Sequence, residues 1–191
     1  MASNNERRAL LADAGLEVLA SQGARGLTFR AVDAEAGVPA GTVSNYFRSR
    51  AELLGGLADR IFVRLEPDPG RVTQLESKPR SVRTLEAHMV EIVERTTQRR
   101  SLMLALLELR LEAARQPEVA AALTNAIRRG FAADVEYQVN SGLPGGEIEV
   151  ELLYHAITGV ILDTLTISVG GSLTPEQAAI KLTRRITAPV S

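Results

Sequence analysis

The sequence lacks cysteine and tryptophan and has only two histidines, His88 and His155. Without cysteine there can be no disulfide, thiolate zinc site or cysteine nucleophile, and two histidines are too few for a histidine-rich metal cluster. The absence of cysteine is compatible with a reducing compartment, so we expect a cytoplasmic protein without a cofactor. Aromatic residues make up only 4% of the chain, which disfavours a stacking cage for a planar ligand.

Long uninterrupted apolar runs are also missing. A membrane span needs about 20 mainly apolar residues. The run at 102–114 is too short, and charged or polar residues, among them Glu151 and Asp163, interrupt the run at 150–169. The first residues do not resemble the apolar core of a signal peptide. We therefore expect no membrane partner and interpret both runs as buried helices.

Motifs of catalysis are absent as well. The sequence has no metal-spaced histidine pair and no convincing nucleophile context. The glycine-rich residues 143–147 follow a predicted helix rather than a strand, which indicates a turn and not a phosphate-binding loop. We predict that the protein is not an enzyme.

Helical periodicity, by contrast, runs along nearly the whole chain. Hydrophobic residues make up 45% and charged residues 24% of the 191 residues, enough for a substantial core. Apolar spacing and capping residues such as Ser3, Thr28 and Thr174 predict an all-α fold. The proline-rich segment 66–80 is predicted to be a linker. The predicted helices, about nine, are 5–22, 28–36, 39–46, 50–65, 81–98, 101–114, 117–140, 147–168 and 174–187.

The second and third predicted helices have the spacing of a helix-turn-helix unit, because a short turn at 36–38 contains Gly37. In such a unit the second helix enters the DNA major groove. Small and hydrogen-bonding residues there suit close approach to DNA, while Val38, Val43 and Phe47 would anchor the helix. An ordinary turn, with Tyr46 and Phe47 as simple core, is the alternative, whereas DNA binding requires an exposed, positive face here. The candidate DNA contacts are Thr28, Arg30, Pro39, Ala40, Gly41, Thr42, Ser44, Asn45, Tyr46 and Arg50.

The stretch TFRAVDAEAGVPAGTVSNYFRSRAEL (28–53) resembles the DNA-binding domain of the tetracycline-repressor (TetR) family of bacterial transcriptional regulators. The resemblance is specific over about residues 7–60 and lies in architecture beyond residue 65. Ser44 stands where many members have an aromatic residue, Arg50 where they have lysine, and Pro39 where serine or a lysine-bearing sequence is common. The resemblance implies a DNA-binding domain at 1–48 and a ligand-binding and dimerisation domain at 49–191, with a connecting helix at 49–65.

The resemblance also implies a homodimer, paired largely through the last two long helices, on a near-palindromic operator. Stripes of small and apolar residues on these helices fit that expectation, and packing within one protomer is the alternative. The candidate interface residues are Leu152, His155, Ala156, Gly159, Asp163, Thr166, Ala178, Ala179, Leu182 and Ile186.

A further implication is a pocket for a small apolar or amphipathic effector of unknown identity, whose binding releases DNA. Repression is the commoner outcome in the family, and activation stays open. Each candidate lining residue has plain core packing or surface exposure as its alternative. These residues are Leu85, His88, Met89, Ile92, Met103, Leu107, Arg110, Phe131, Val135 and Tyr154. A helical protein-interaction module without DNA binding is the alternative function.

Overall fold

The computed structural model describes residues 4–188, and every regular element in that range is helical, as predicted. The predicted Ser3 cap lies outside the described residues. The α-helices are α1 (Asn4–Gly26), α2 (Phe29–Glu35), α3 (Arg50–Arg64), α4 (Pro69–Glu76), α5 (Val82–Gln98), α6 (Arg100–Ala113), α7 (Pro117–Ser141), α8 (Glu147–Leu165) and α9 (Pro175–Ile186), with a 3₁₀ turn at Val43–Asn45 between α2 and α3.

Side-chain caps fix several helix starts where the sequence predicted them. Thr28 Oγ1 accepts a hydrogen bond from the Ala31 amide at the start of α2. Thr174 and Gln177 form a reciprocal capping box at the start of α9. Each such cap satisfies amide groups that have no partner within the helix.

Several elements differ from the prediction. Residues 39–46 do not form an α-helix, because Gly41 has φ +89°, outside the α-helical region. The predicted linker 66–80 contains α4, which Asp68 caps and Pro69 begins. Helix α8 ends at Leu165, and its C-cap residue Thr166 has non-helical angles of φ −112° and ψ −101°.

The chain divides into two compact units. The first contains the residues up to Glu66 together with Arg100–Arg129. In it, α1 packs against α2, α3 and α6. Its core includes Leu11, Leu57 and Phe47, all fully buried. Burying such a side chain stabilises the fold by about 1.5–3 kcal/mol.

The second unit contains Pro67–Arg99 and the residues from Gly130 onwards. Here α5 packs against α8 and α9, and α8 also packs against α9. Leu85, Leu143 and Leu153 form a buried cluster, with Met89 and Tyr137 among the side chains packed on it.

Among the described residues, no helix is both long and apolar enough to cross a membrane. The same residues contain no group of three histidine, aspartate or glutamate side chains placed to hold a metal ion.

Candidate nucleic-acid interface

The recognition turn, residues 39–47, presents the centre of the predicted DNA-binding surface. The Thr42 amide donates to the Pro39 carbonyl at 3.1 Å, and the Tyr46 amide donates to the Val43 carbonyl at 2.9 Å. Val43 and Phe47 are fully buried and anchor the turn, as the sequence predicted. The positive φ of Gly41 favours glycine, although a Cβ there would meet no atom within 4 Å. Backbone conformation, rather than crowding, therefore accounts for this glycine.

Asp33, on α2, holds the start of the recognition turn. Its side chain is only 3% exposed. Its Oδ2 accepts from the Gly41 amide at 2.7 Å, and its Oδ1 accepts from the Val43 amide at 2.8 Å. The Asp33 carbonyl also accepts from the Val38 amide at 3.0 Å. Charge-assisted bonds of this kind are stronger than neutral ones, so this carboxylate fixes the turn against α2.

Arg8, on α1, holds the other end of the turn. Its guanidinium donates to the Tyr46 carbonyl and lies 4.2 Å from the centre of the Phe47 ring. It also lies 3.4 Å from Glu52 Oε1. Glu52 in turn accepts from the Arg48 amide at 2.8 Å, which is the main reason why its pKa is below the usual value. Both ends of the turn are thus bound to neighbouring helices.

Seven of the ten predicted DNA contacts are exposed, and three are partly buried. The exposed set is Thr28, Arg30, Pro39, Ala40, Gly41, Ser44 and Asn45, and the partly buried set is Thr42, Tyr46 and Arg50. None of the ten is buried, as contact with DNA requires.

Arg50 was predicted to contact DNA, but its side chain binds the protein's own backbone. Its guanidinium donates to the carbonyls of Leu27 and Ala24, the latter at 2.6 Å. It also lies 3.6 Å from Glu112 of α6. Glu108 of α6 accepts from the Ala24 amide at 3.2 Å. We therefore assign Arg50 to the connection between α1 and α2, in place of the predicted contact with DNA.

Sequence reasoning missed Asp33 and Arg8. Asp33 is one acid among the charged residues of the helix-turn-helix, and Arg8 precedes this unit. The nearest partners of their side chains are eight and 38 residues away in sequence, so helical periodicity gives no signal for them. Arg25 and Arg48 are also exposed and add positive charge near the turn.

The predicted effector residues divide between the two units. Met103, Leu107 and Arg110 belong to the first unit, and the other seven belong to the second. Leu85 and Met103 are buried core residues, the alternative that the sequence left open.

A surface groove of about 560 Å³ lies in the second unit, and Phe131 and Val135 line it. Val139, Glu136 and Glu147 also line this groove, and the sequence had not indicated them. Tyr154 packs edge-on against Phe131, with ring centroids 5.7 Å apart.

His88 is half-buried and pairs with Tyr137, the imidazole Nε2 lying 3.5 Å from the phenol oxygen. Burial lowers the pKa of His88, an effect that the nearby carboxylates of Glu91 and Glu76 only partly oppose. The neutral imidazole is therefore favoured in the folded protein. Met89 and Ile92, on the same helix, are partly buried.

On α8, the predicted interface residues Leu152, His155 and Gly159 are exposed. Ile148 and Leu162 extend this stripe and are 70% and 44% exposed. Thr166 is exposed, and Ala156 and Asp163 are partly buried. The Asp163 carboxylate accepts from the Val169 amide and the Ser168 hydroxyl, each at 2.8 Å.

On α9, Ala178 and Leu182 are partly buried. Ala179 has no exposed surface, so its predicted place in a dimer interface is wrong, because α9 packs that side against its own unit. Ile186 packs against the core cluster of the second unit.

The described residues are all-helical, and their exposed polar turn on buried apolar anchors has the arrangement of a helix-turn-helix DNA-binding regulator. Comparison with known families agrees. Residues 11–57 match the family described as bacterial regulatory proteins, tetR family, and residues 80–189 match the tetracyclin repressor-like C-terminal domain. The chain therefore belongs to the TetR family. It is a DNA-binding transcriptional regulator and not an enzyme.

Solved structures share the fold. A TetR-family transcriptional regulator from Mesorhizobium loti MAFF303099 aligns with a TM-score of 0.75 at 14% identity, covering 97% of each chain. A transcriptional regulator from Rhodococcus sp. Rha1 aligns at 0.69 and 21% identity, covering 94% of this chain and 93% of that one. The multidrug binding protein EbrR, in complex with malachite green, aligns at 0.63 and 20% identity, covering 97% and 99%. Among curated proteins, none matches this chain in sequence.

Proposed function

We propose that the protein is a repressor that binds a near-palindromic operator as a homodimer and that a small amphipathic effector releases it. The observation that carries this proposal is the recognition turn, where Ser44 and Asn45 are exposed above the fully buried Val43 and Phe47. Such a surface can enter the major groove without unfolding any of the core.

Within this interface the residues have different roles. Ser44 and Asn45 face solvent on the turn and would contact base edges, and an asparagine amide suits adenine. Arg30 is exposed on α2 and would bind phosphate, which gives affinity but little sequence information. Thr28 Oγ1 accepts the capping bond from the Ala31 amide, which leaves the hydroxyl proton free to be donated to a phosphate oxygen. The Tyr46 phenol would contact the sugar-phosphate backbone of the DNA.

The exposed stripe on α8 supports a dimer. Leu152 and Leu162 follow Ile148 by four and fourteen residues. Both spacings are close to a whole number of helical turns, so the three side chains share one face of α8. Large apolar side chains on one exposed face mark interaction sites. A symmetric dimer pairs the same patch on both subunits and would place two recognition turns about 34–36 Å apart.

The groove in the second unit supports an effector site. Phe131, Val135 and Val139 provide apolar surface, and Glu136 and Glu147 provide carboxylates. EbrR, which has the same fold, is a multidrug binding protein whose structures include complexes with malachite green and proflavin. An amphipathic effector, apolar with a cationic group, would suit this lining. We also propose that the DNA-binding domain ends at residue 48 and that the protein acts in the cytoplasm.

Fluorescence anisotropy on an operator selected from a random DNA pool tests the proposal. Asn45→Ala should weaken binding at least about fivefold, because a good bidentate base contact contributes about 1–3 kcal/mol. Asn125→Ala, at an exposed asparagine of α7, is the matched control and should leave binding unchanged. Equal affinities for both variants and the wild type would contradict the assignment of the turn to DNA.

The effector part is tested by adding dyes such as malachite green to the preformed complex. The effector site is supported if the dye releases DNA from the wild type and if substitution of Val135 changes the dye concentration that this release requires. A Val135→Glu variant that releases DNA at the same dye concentration as the wild type would contradict the groove as the effector site.

A further inference from the structure

Two hydroxyl groups on the recognition turn have their protons engaged by the turn itself. Ser44 Oγ lies 2.7 Å from the Gly41 carbonyl oxygen, and Thr42 Oγ1 lies 2.6 Å from the Pro39 carbonyl oxygen. A carbonyl can only accept, so the hydroxyl is the donor in both bonds. A hydroxyl has a single proton, and each side chain therefore presents only acceptor lone pairs to its surroundings.

This restriction decides which DNA groups such a hydroxyl can bind. Phosphate oxygens are acceptors, so they form no hydrogen bond with a hydroxyl that has no free proton. In the major groove the donors are the exocyclic amino groups, N6 of adenine and N4 of cytosine. Ser44 is exposed and Thr42 only partly so, which makes Ser44 the better placed of the two.

Asp33 fixes the carbonyl that engages Ser44. The Gly41 carbonyl belongs to the peptide group between Gly41 and Thr42. The Asp33 carboxylate accepts from the Gly41 and Val43 amides at 2.7 and 2.8 Å, and these amides belong to the two peptide groups on either side. A buried carboxylate with two charge-assisted bonds holds both flanking groups in place. The carbonyl between them is held with them.

We propose that Ser44 is a specificity-determining residue whose oxygen accepts a hydrogen bond from adenine N6 or cytosine N4, and that Asp33 positions it through the Gly41 peptide. This inference rests on the proposed function, because it requires that the turn enters the major groove. It explains how a short serine can select a base where a long side chain is not available.

A cycle of protein and DNA variants tests the Ser44 contact. An operator is first selected with the wild type. At each adenine or cytosine of a half-site, the base is then replaced by an analogue without the exocyclic amino group. At one position the analogue should weaken wild-type binding about 3- to 10-fold, the range for one hydrogen bond. The same analogue should have no effect on Ser44→Ala, and Ser44→Thr should restore its effect because the hydroxyl is retained.

The outcomes separate the two proposals. If the wild type enriches no DNA, the proposed function fails, and this inference fails with it. If an operator is enriched but every analogue weakens the wild type and Ser44→Ala equally, the function stands and the Ser44 contact is overturned.

The Asp33 part is tested with Asp33→Asn, which keeps the side-chain volume but offers one acceptor in place of two. Its binding should become insensitive to the analogue at the Ser44 position, while its affinity for random DNA stays within about twofold, since phosphate contacts do not involve this residue. Glu35→Gln, at an exposed position of the same helix, should keep the sensitivity. An Asp33→Asn protein with wild-type melting and undiminished analogue sensitivity would overturn the positioning role.

Discussion

The Arg50 guanidinium donates to the Ala24 carbonyl oxygen at 2.6 Å, joining the start of α3 to the end of α1. The same group bonds the Leu27 carbonyl and lies 3.6 Å from Glu112 on α6. Arg50 thus orders the chain between α1 and α2 from inside the first unit. Its role is distinct from that of an exposed arginine that binds phosphate.

We expect Arg50→Ala to destabilise the first unit by about 1.5–3 kcal/mol, the usual contribution of hydrogen bonds to a charged group. Arg50→Lys should be nearly as damaging, because an ammonium cannot reproduce the fork that serves two carbonyls. Urea unfolding measures both variants. The dependence of DNA binding on salt should not change for either, and a reduced slope in Arg50→Ala alone would restore Arg50 as a phosphate contact.

Arg30 is the arginine that we expect to contact phosphate. Removing one phosphate contact reduces the slope of log K against log salt by about 0.9. Arg30→Ala should show this decrease and should weaken binding to all sequences alike. Arg83→Ala, exposed in the second unit, provides the comparison and should keep the wild-type slope. A wild-type slope for Arg30→Ala would exclude the contact.

Asp13 and Arg60 join α1 to α3 through two parallel hydrogen bonds of 2.9 and 2.7 Å, and Arg64 adds a third at 2.8 Å. Burial alone would raise the pKa of Asp13, but the bonds from both arginines outweigh burial and lower it. The ion pair therefore contributes its full stabilisation above the pKa that Asp13 has in the unfolded chain. This contribution is lost as the pH falls through the lower pKa of Asp13 in the folded state.

We expect Asp13→Asn to destabilise the protein by about 1.5–3 kcal/mol at neutral pH and by progressively less below about pH 4. Denaturant unfolding at several pH values measures this. Asp59→Asn breaks an exposed pair with Arg129 and should cost at most about 1 kcal/mol. A penalty for Asp13→Asn that is independent of pH would contradict the ion-pair account.

His88 should make the second unit sensitive to mild acid. Because burial lowers its pKa in the folded state, the unfolded chain binds a proton more readily below about pH 6.5. Stability contributed by the neutral ring is thus present above that pH and decreases as the pH falls towards the pKa of the folded state. Melting curves between pH 7.5 and 5.5 should show a smaller decrease for His88→Gln than for the wild type. Equal decreases in the two proteins would refute the prediction.

The exposed stripe on α8 predicts a dimer that a single charge disrupts. Leu152 is 49% exposed in one chain. Leu152→Glu would place a carboxylate in the stripe and should shift the mass in solution towards the monomer. Leu111→Glu, on a leucine that is 50% exposed on α6, is the control. Sedimentation at micromolar concentration distinguishes them, and a monomeric wild type would contradict the interface.

The sequence predicted the helices and the buried anchors of the site better than its hydrogen bonds. Val43 and Phe47 were identifiable because their apolar spacing is local. The 3₁₀ turn was missed because Pro39 favours a helix start, while the left-handed φ of Gly41 is revealed only by the structure. Asp33 was missed because a buried acid in a charged segment has the same sequence signal as a solvated one.

Contacts between distant segments could not be predicted either, because local spacing in the sequence carries no signal for them. The sequence indicated Arg50 as a DNA contact, but its neighbours Ala24 and Glu112 are 26 and 62 residues away. Ala179 was assigned to the dimer because the α9 stripe does not indicate which partner covers it.

Selection of bound DNA from a random pool tests the central claim most directly. The account predicts a single enriched site with two-fold symmetry, with half-sites about one helical turn or a multiple of it apart. A double variant with Ser44→Ala and Asn45→Ala that melts like the wild type should enrich no site. Failure of the folded wild-type protein to enrich any sequence would contradict the claim that the recognition turn reads DNA.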